Sequence, residues 1–452
     1  MKKGKTISTF FIIWSGQLLS IIGTSITNFG LGVWVYKLTG SVTQLALISF
    51  STTLPVLLLL PFSGSLVDRW DRRTVMIVGD TVAGISTLVI AILIFTNSFQ
   101  IWHIYITTAI SSAASNFQSS AYSASIPLLV PKKQLGRING IVQFSQALGY
   151  IIGPVLGALF LSLIEIKGIL IIDFATFLFA VGALLLVKIP LPFSIEELKK
   201  KKQSLWMDAK EGIRYLLNKK GLIGLLGLYA ALNFSGGIAT VLMTPLVLSV
   251  ADNMVLGSVM SVSGIGMVIG SVIMTAWGGP QRKMFGVLGF MAAIGLSIIC
   301  FGIRPLVPLF FCAGFCAFFS IPIMNGCFTT LWQRKIAPEI QGRAFSLAGI
   351  VAVGTLPIAH LVAGPLADLI FEPALQTNGI LAPSIGRIIG TGAGRGIGLM
   401  YILLGLLSVI ITCIGILTPR IRRLDLDLPD ELKDDELPEE IEKKDIPIKE
   451  NA

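Results

Sequence analysis

The chain has 452 residues, 54% hydrophobic and only 13% charged, where soluble domains carry about 25% charged residues. A mean hydropathy of +0.81 excludes an ordinary soluble enzyme, because a soluble chain needs polar groups to cover its surface. The net charge of +10 also fails to indicate a nucleic-acid partner, since the bases sit in short clusters between apolar runs and suggest no aromatic-lined basic groove.

A membrane-spanning helix needs roughly 20 apolar residues. Apolar runs bounded by charge, Gly and Pro predict six spans in the first half, near 9–36, 41–63, 74–96, 101–126, 138–163 and 168–188. Six more follow, near 221–249, 254–277, 284–303, 306–331, 344–371 and 396–418. The predicted class is therefore an all-α integral membrane protein of twelve transmembrane helices in two pseudo-symmetric six-helix bundles, divided as 1–190 and 221–418. Residues 191–220 form a linker with an amphipathic helix, and 419–452 an acidic, disordered tail in which, from Asp425 on, twelve acids face four bases.

Basic residues test the span count, because cytoplasmic loops carry an excess of Lys and Arg. Thirty of the 35 fall on alternate segments, and the remaining five, Lys37, Lys167, Arg304, Arg387 and Arg395, on the others. This alternation predicts a multi-pass protein of a bacterial-type inner membrane with both termini cytoplasmic. The five cysteines lie in apolar segments without metal-site spacing, so no metal and no cofactor are expected. Thr391 to Gly398 imitates a dinucleotide turn, but no βαβ unit surrounds it.

The halves echo each other at an offset near 210, as paired bundles with a shared binding site do. Gly64 to Arg69 is answered by Gly278 to Lys283, Pro131 to Arg137 by Pro338 to Arg343, and Gly153-Pro154 by Gly364-Pro365.

Within the spans, ionisable residues are costly and mark functional candidates. Asp80 stands about 9 Å along span three, Asp173 about 8 Å along span six, and Asp368 about 5 Å from the outer end of span eleven, at 1.5 Å per residue. Each is a candidate for carrying protons. His360 reads as a packing histidine.

The loop Gly64 to Arg73, GSLVDRWDRR, resembles the signature between helices two and three of the major facilitator superfamily. That resemblance implies a conformational-switch motif of Gly64, Asp68, Arg69, Arg72 and Arg73, with Asp71 departing from the usual Gly. Gly140, Gly149, Gly153, Pro154 and Gly157 are similar to the helix-five motif of the family's proton-coupled exporters. Ile13 to Gln17, Leu128 to Leu135, Lys210 to Gly212 and Gln341 to Leu347 extend the likeness to the macrolide-efflux branch, with siderophore exporters of the same superfamily close by.

The resemblance implies a non-enzymatic secondary active exporter, a proton antiporter that moves amphipathic small molecules such as macrolide-like drugs by alternating access, as a monomer in the lipid bilayer. It places the cargo cavity between the bundles, lined by spans one, four, seven and ten, with Gln17, Asn28, Asn116, Gln118, Asn233 and Asn325 as polar contacts. The alternatives are export of a siderophore or related metabolite, and a transporter-shaped receptor or scaffold.

Overall fold

A computed structural model describes residues 3–67, 70–131, 134–187, 219–336 and 338–430. Twelve long helices run through them. The first half holds α1 (Lys3–Thr39), α2 (Val42–Val67), α3 (Arg72–Phe95), α4 (Ile101–Leu129), α5 (Leu135–Leu163) and α6 (Glu165–Leu186). The second holds α7 (Lys220–Leu248), α8 (Asn253–Trp277), α9 (Lys283–Ile303), α10 (Val307–Lys335), α11 (Pro338–Pro365) and α12 (Arg395–Leu417). No strand occurs among the described residues.

Eleven of these helices are long and apolar enough to cross a membrane. The exception, α4, has 29 residues, about 44 Å at 1.5 Å per residue. Its lower apolarity comes from hydroxyls such as Thr107, Thr108, Ser111 and Ser115, which face an internal cavity. Two boundaries differ from the sequence expectation because helix continues past the apolar run: α1 starts at Lys3 and α11 at Pro338. After Pro365, α11 widens into a π turn over Leu366–Phe371.

Local chemistry sets several helix starts. Asp71 accepts hydrogen bonds from Thr74 N at 3.2 Å and Thr74 Oγ1 at 2.7 Å, capping α3. The residue that departs from the family pattern thus gains a capping role. Asp252 caps α8 through Val255 N at 2.9 Å.

The two halves repeat one packing scheme. α1 packs on α5 and α6 as α7 packs on α11 and α12; α3 packs on α4 and α6 as α9 packs on α10 and α12; α2 meets α4 as α8 meets α10. Between the halves, α2 meets α11 and α5 meets α8, which exchange under the same pseudo-twofold relation. Small residues permit the close approach, as expected where lipid offers no hydrophobic drive for association. A Cβ at Gly364 would lie 2.3 Å from Thr43 Cα, and one at Gly257 2.6 Å from the carbonyl oxygen of Pro154.

One end of the bundle carries the basic loops, the other neutral ones. Phe29, Val33, Val42, Leu45, Ala46 and Ala158, all toward the neutral end, join the apolar core of the second half. Toward the basic end, Phe10, Ile13, Val67, Val75 and Met76 belong to a separate apolar cluster whose described members are all from the first half. Described contacts between the halves continue into the middle of the spans, where Ser261 Oγ donates to the carbonyl of Ile151 at 2.5 Å and Gly264 packs on Tyr150.

The expectation for the tail needs correction. The tail is not disordered from 419: Pro419–Arg422 and Leu424–Asp427 are helical turns, with Ile421 and Leu424 buried against the second half. Asp425 Oδ2 accepts from Met284 N at 3.0 Å, and the Lys335 ammonium donates to the carbonyl of Asp425 at 2.8 Å and pairs with Asp430 at 2.9 Å. Apolar anchors and a buried lysine hold what composition alone read as acidic tail. The loop after α11 is also stitched down: the Glu372 carboxylate accepts from Gly394 N at 3.1 Å and Ile397 N at 2.8 Å, capping α12. Residues 188–218, with nearly all of the linker and its amphipathic segment, and residues 431–452 lie outside the described residues.

The tail contact has a pH sign. Burial pushes the Asp430 carboxyl up, but hydrogen bonds and charge from Lys335 and Arg334 outweigh it and hold the group below the usual aspartate range. A lowered carboxylate stabilises the folded state above its unfolded pKa and stops doing so as pH falls through the folded value. Hydrogen exchange at 424–428 is expected to quicken in acid below the ordinary carboxylate range, and Asp430→Asn to reproduce that effect at neutral pH. Because Asp430 is partly exposed, the effect is expected to be modest.

Candidate transport cavity

A cavity of about 430 Å³ lies inside the first half. α1 contributes Gln17, Thr24, Thr27 and Asn28; α3 contributes Asp80, Ser86 and Thr87; α4 contributes its hydroxyl face with Gln118 and Tyr122; α5 adds Gln146 and Tyr150, and α6 adds Asp173 and Phe177. Two carboxylates thus face a wall of hydroxyl and amide groups. Among the described residues, no Lys, Arg or His lines the cavity.

Asp80 is buried and tied into a relay across three helices. Gln118 Nε2 donates to Gln17 Oε1 at 2.7 Å, and Gln17 Nε2 donates to Asp80 Oδ2 at 2.9 Å. Gly79, beside Asp80, lets α3 approach α4 closely: a Cβ there would sit 2.7 Å from Gln118 Cβ.

Asp173 is buried on α6, where Thr87 Oγ1 of α3 donates to its Oδ2 at 2.8 Å. Thr24 and Thr27 of α1 reach toward the same carboxylate. Thr27 Oγ1 nonetheless makes no hydrogen bond of good geometry, and neither does the buried Tyr122 hydroxyl.

Of the expected cargo contacts, Gln17, Asn28 and Gln118 line the cavity. Asn233 and Asn325 do not; they gather around Tyr229 in the second half, whose hydroxyl donates to Asn325 Oδ1 at 2.8 Å and whose carbonyl accepts from Asn233 at 2.9 Å. Asn116 is also outside, its buried Oδ1 without a partner. This cavity lies within the first half: of the spans expected to line a cavity between the bundles, one and four take part in it, and the described residues of seven and ten do not.

Asp368 is far from both acids in role as well as place. Its carboxylate accepts from Ser41 Oγ at 2.7 Å, Val42 N at 3.0 Å and Thr43 N at 2.8 Å, capping α2 from the opposite half. Close by, Thr53 Oγ1 meets His360 Nδ1 at 3.2 Å across the same interface.

The glycine strip of α5 packs on α1. Cβ atoms at Gly149, Gly153 and Gly157 would lie 2.8 Å from Ile21, 2.4 Å from Ser25 and 2.8 Å from Phe29 respectively, whereas Gly140 faces open space. Pro154 turns toward α8. In the loop motif, Arg72 Nη1 donates to the carbonyl of Ala124 at 2.6 Å and Arg73 to those of Leu184 at 2.9 Å and Leu185 at 3.0 Å. Both arginines bind carbonyls near the ends of α4 and α6, where the helix dipole favours cations. Gly64 ends up in the last turns of α2; Asp68 and Arg69 lie outside the described residues.

Residues 13–359 match the family description Major Facilitator Superfamily. The chain belongs to that superfamily. It is a multi-pass membrane transporter, not an enzyme. Macrolide efflux protein A of Streptococcus pyogenes is 30% identical over 377 residues, covering 80% of this chain and 90% of that protein. The protein of the same name from Enterococcus faecalis is 31% identical over 322 residues, covering 68% and 95%. The multidrug efflux pump Tap of Mycobacterium tuberculosis is 23% identical over 377 residues, covering 79% and 87%. Among solved structures, a point mutant of the nucleoside transporter NupG superposes with a TM-score of 0.70 at 13% identity, covering 90% of this chain and 98% of that one. A bacterial homolog of the human lysosomal transporter Spinster gives 0.68 at 14% identity, covering 95% and 99%. These two support the fold.

Sequence reasoning missed the threonines around Asp173 and the hydroxyl face of α4. The signal was present as an unusual density of Ser and Thr between 107 and 125.

Proposed function

We propose that this facilitator exports amphipathic small molecules of the macrolide-like class in exchange for protons, with its basic loops and both termini in the cytoplasm of an inner membrane. The observation that carries the coupling is the buried Asp80 in a cavity with no basic residue among its described lining, joined to α1 and α4 through Gln17 and Gln118. In a low-dielectric interior an unpaired carboxylate is costly, so it is neutralised by a bound cation. Asp80, held by a carboxamide, is the proton carrier of this reading. Asp173 adds a second negative charge to the same cavity.

The cargo class follows from the efflux relatives. Residues 1–190 and 221–418 rock as two bodies of a monomer, linked by 191–220. Arg72 and Arg73 hold α3 within the first body, and Asp68 closes the basic end in the opposite state. Gly149, Gly153 and Gly157 keep α5 in close register with α1 as the bodies move.

Inside-out membrane vesicles test the reading. With the lumen acidified, a labelled macrolide is expected to accumulate beyond vesicles that lack the protein, and dissipating the pH gradient is expected to abolish the excess. Equal accumulation with and without the protein contradicts export.

A further inference from the structure

The two carboxylates of the cavity have different surroundings. Asp80 receives an N–H from Gln17 at 2.9 Å, a group that can only donate. Asp173 instead faces hydroxyls, each carrying two lone pairs that can turn toward a cation. Thr87 is bonded to it at 2.8 Å, Thr24 and Thr27 reach it from α1, and Asn28 lines the same space.

Thr27 is 5% exposed and lines the cavity, and apart from its reach toward Asp173, which falls short of good hydrogen-bond geometry, its Oγ1 has no partner among the described residues. A buried hydroxyl held this poorly against a carboxylate forfeits part of a hydrogen bond, and a cation seated between the two oxygens would satisfy both. Gly23 keeps the approach open: a Cβ there would fall 3.2 Å from Asp173 Oδ1 and collide with Thr176 Oγ1.

We propose that Asp173, Thr24, Thr27 and Thr87 form a binding site for a sodium ion within the first bundle. An all-oxygen set of one carboxylate and several hydroxyls suits a hard cation. A single carboxylate balances one positive charge, whereas a divalent ion would leave an uncompensated charge in the interior. The site divides the labour of the cavity: a proton at Asp80, a sodium ion at Asp173. Binding needs neither cargo nor a pH gradient, so it stands or falls apart from the export reading.

Thermal unfolding of the full-length protein in detergent, with NaCl replacing choline chloride at constant ionic strength, tests the site. The midpoint is expected to rise saturably with Na⁺, because a ligand of the folded state stabilises it by mass action, and to rise less with K⁺. Asp173→Asn is expected to abolish the response and Asp80→Asn to retain it. Thr27→Val, which keeps the shape of the side chain and removes only a poorly aligned reach toward Asp173, is expected to fold normally and to raise the half-saturating Na⁺ concentration about tenfold, the low end of what altering a metal site costs. Equal midpoints in Na⁺ and choline, a Na⁺ response that survives Asp173→Asn, or a Thr27→Val protein with unchanged Na⁺ dependence would each overturn the proposal. Should Asp173→Asn fail to fold, the Thr27→Val comparison decides alone.

Discussion

Replacing Asp80 by Asn is expected to leave the fold and cargo binding in place while collapsing uphill accumulation. The carboxamide keeps an oxygen for Gln17 Nε2, so the link to α1 and α4 survives. What disappears is the exchangeable proton. One charge moved across about 100 mV supplies about 2.3 kcal/mol, which at 1.4 kcal/mol per tenfold is roughly a 50-fold concentration ratio. Loss of one coupled proton is expected to lower the steady-state cargo ratio in vesicles by about that factor per 100 mV. Binding of labelled macrolide to the purified variant should stay within about threefold of wild type, less than 1 kcal/mol. An undiminished ratio would remove Asp80 from the coupling step.

The second large effect concerns the neutral end. Asp368→Ala strips α2 of a cap supplied by the other half, with donors at 2.7, 3.0 and 2.8 Å. Hydrogen bonds to a charged group contribute about 1.5–3 kcal/mol and a helix cap about 1 kcal/mol. Water restores part of this once the end opens, leaving a net loss of about 2 kcal/mol, or roughly a 30-fold shift toward the state open at the neutral end. Spin labels at Ser98 and Gln376, exposed on neutral-end loops of opposite halves, should report a longer distance population in the alanine variant. Asn, itself a good capping residue, should restore most of the short population at this position. Identical distance distributions for wild type and alanine would show that the cap does not hold the gate.

Most of the helices were legible because an apolar run bounded by charge, Gly or Pro is a one-dimensional signal. So was the repeat: Gly153-Pro154 and Gly364-Pro365 mark the two places where the halves approach, at α8 and α2. Trans-capping was not legible. Asp368, Glu372 and Asp425 look like isolated acids in sequence, and their partners, α2, α12 and α9, lie up to 327 residues away. Asp368 stood as a proton candidate on position alone, and position does not reveal that three donors share its carboxylate. The cavity was half legible. Its carboxylates stand out because charge is rare in a span, whereas Thr24, Thr27 and Thr87 do not, since most helical hydroxyls bond a preceding carbonyl, as Thr107 does with His103 at 2.8 Å. Which helices line it depends on how the first six pack together, a property of tertiary structure rather than of local sequence.

In the proposed cycle cargo moves one way only as a proton moves the other. Simultaneous recording of labelled macrolide entry and lumenal pH in proteoliposomes tests this most directly. Cargo entering down its gradient is expected to drive protons out, so that the lumen turns alkaline beyond protein-free liposomes, and the Asp80→Asn protein is expected to admit cargo without that excess. Cargo entry through the wild-type protein with no proton movement beyond the protein-free control would contradict the account.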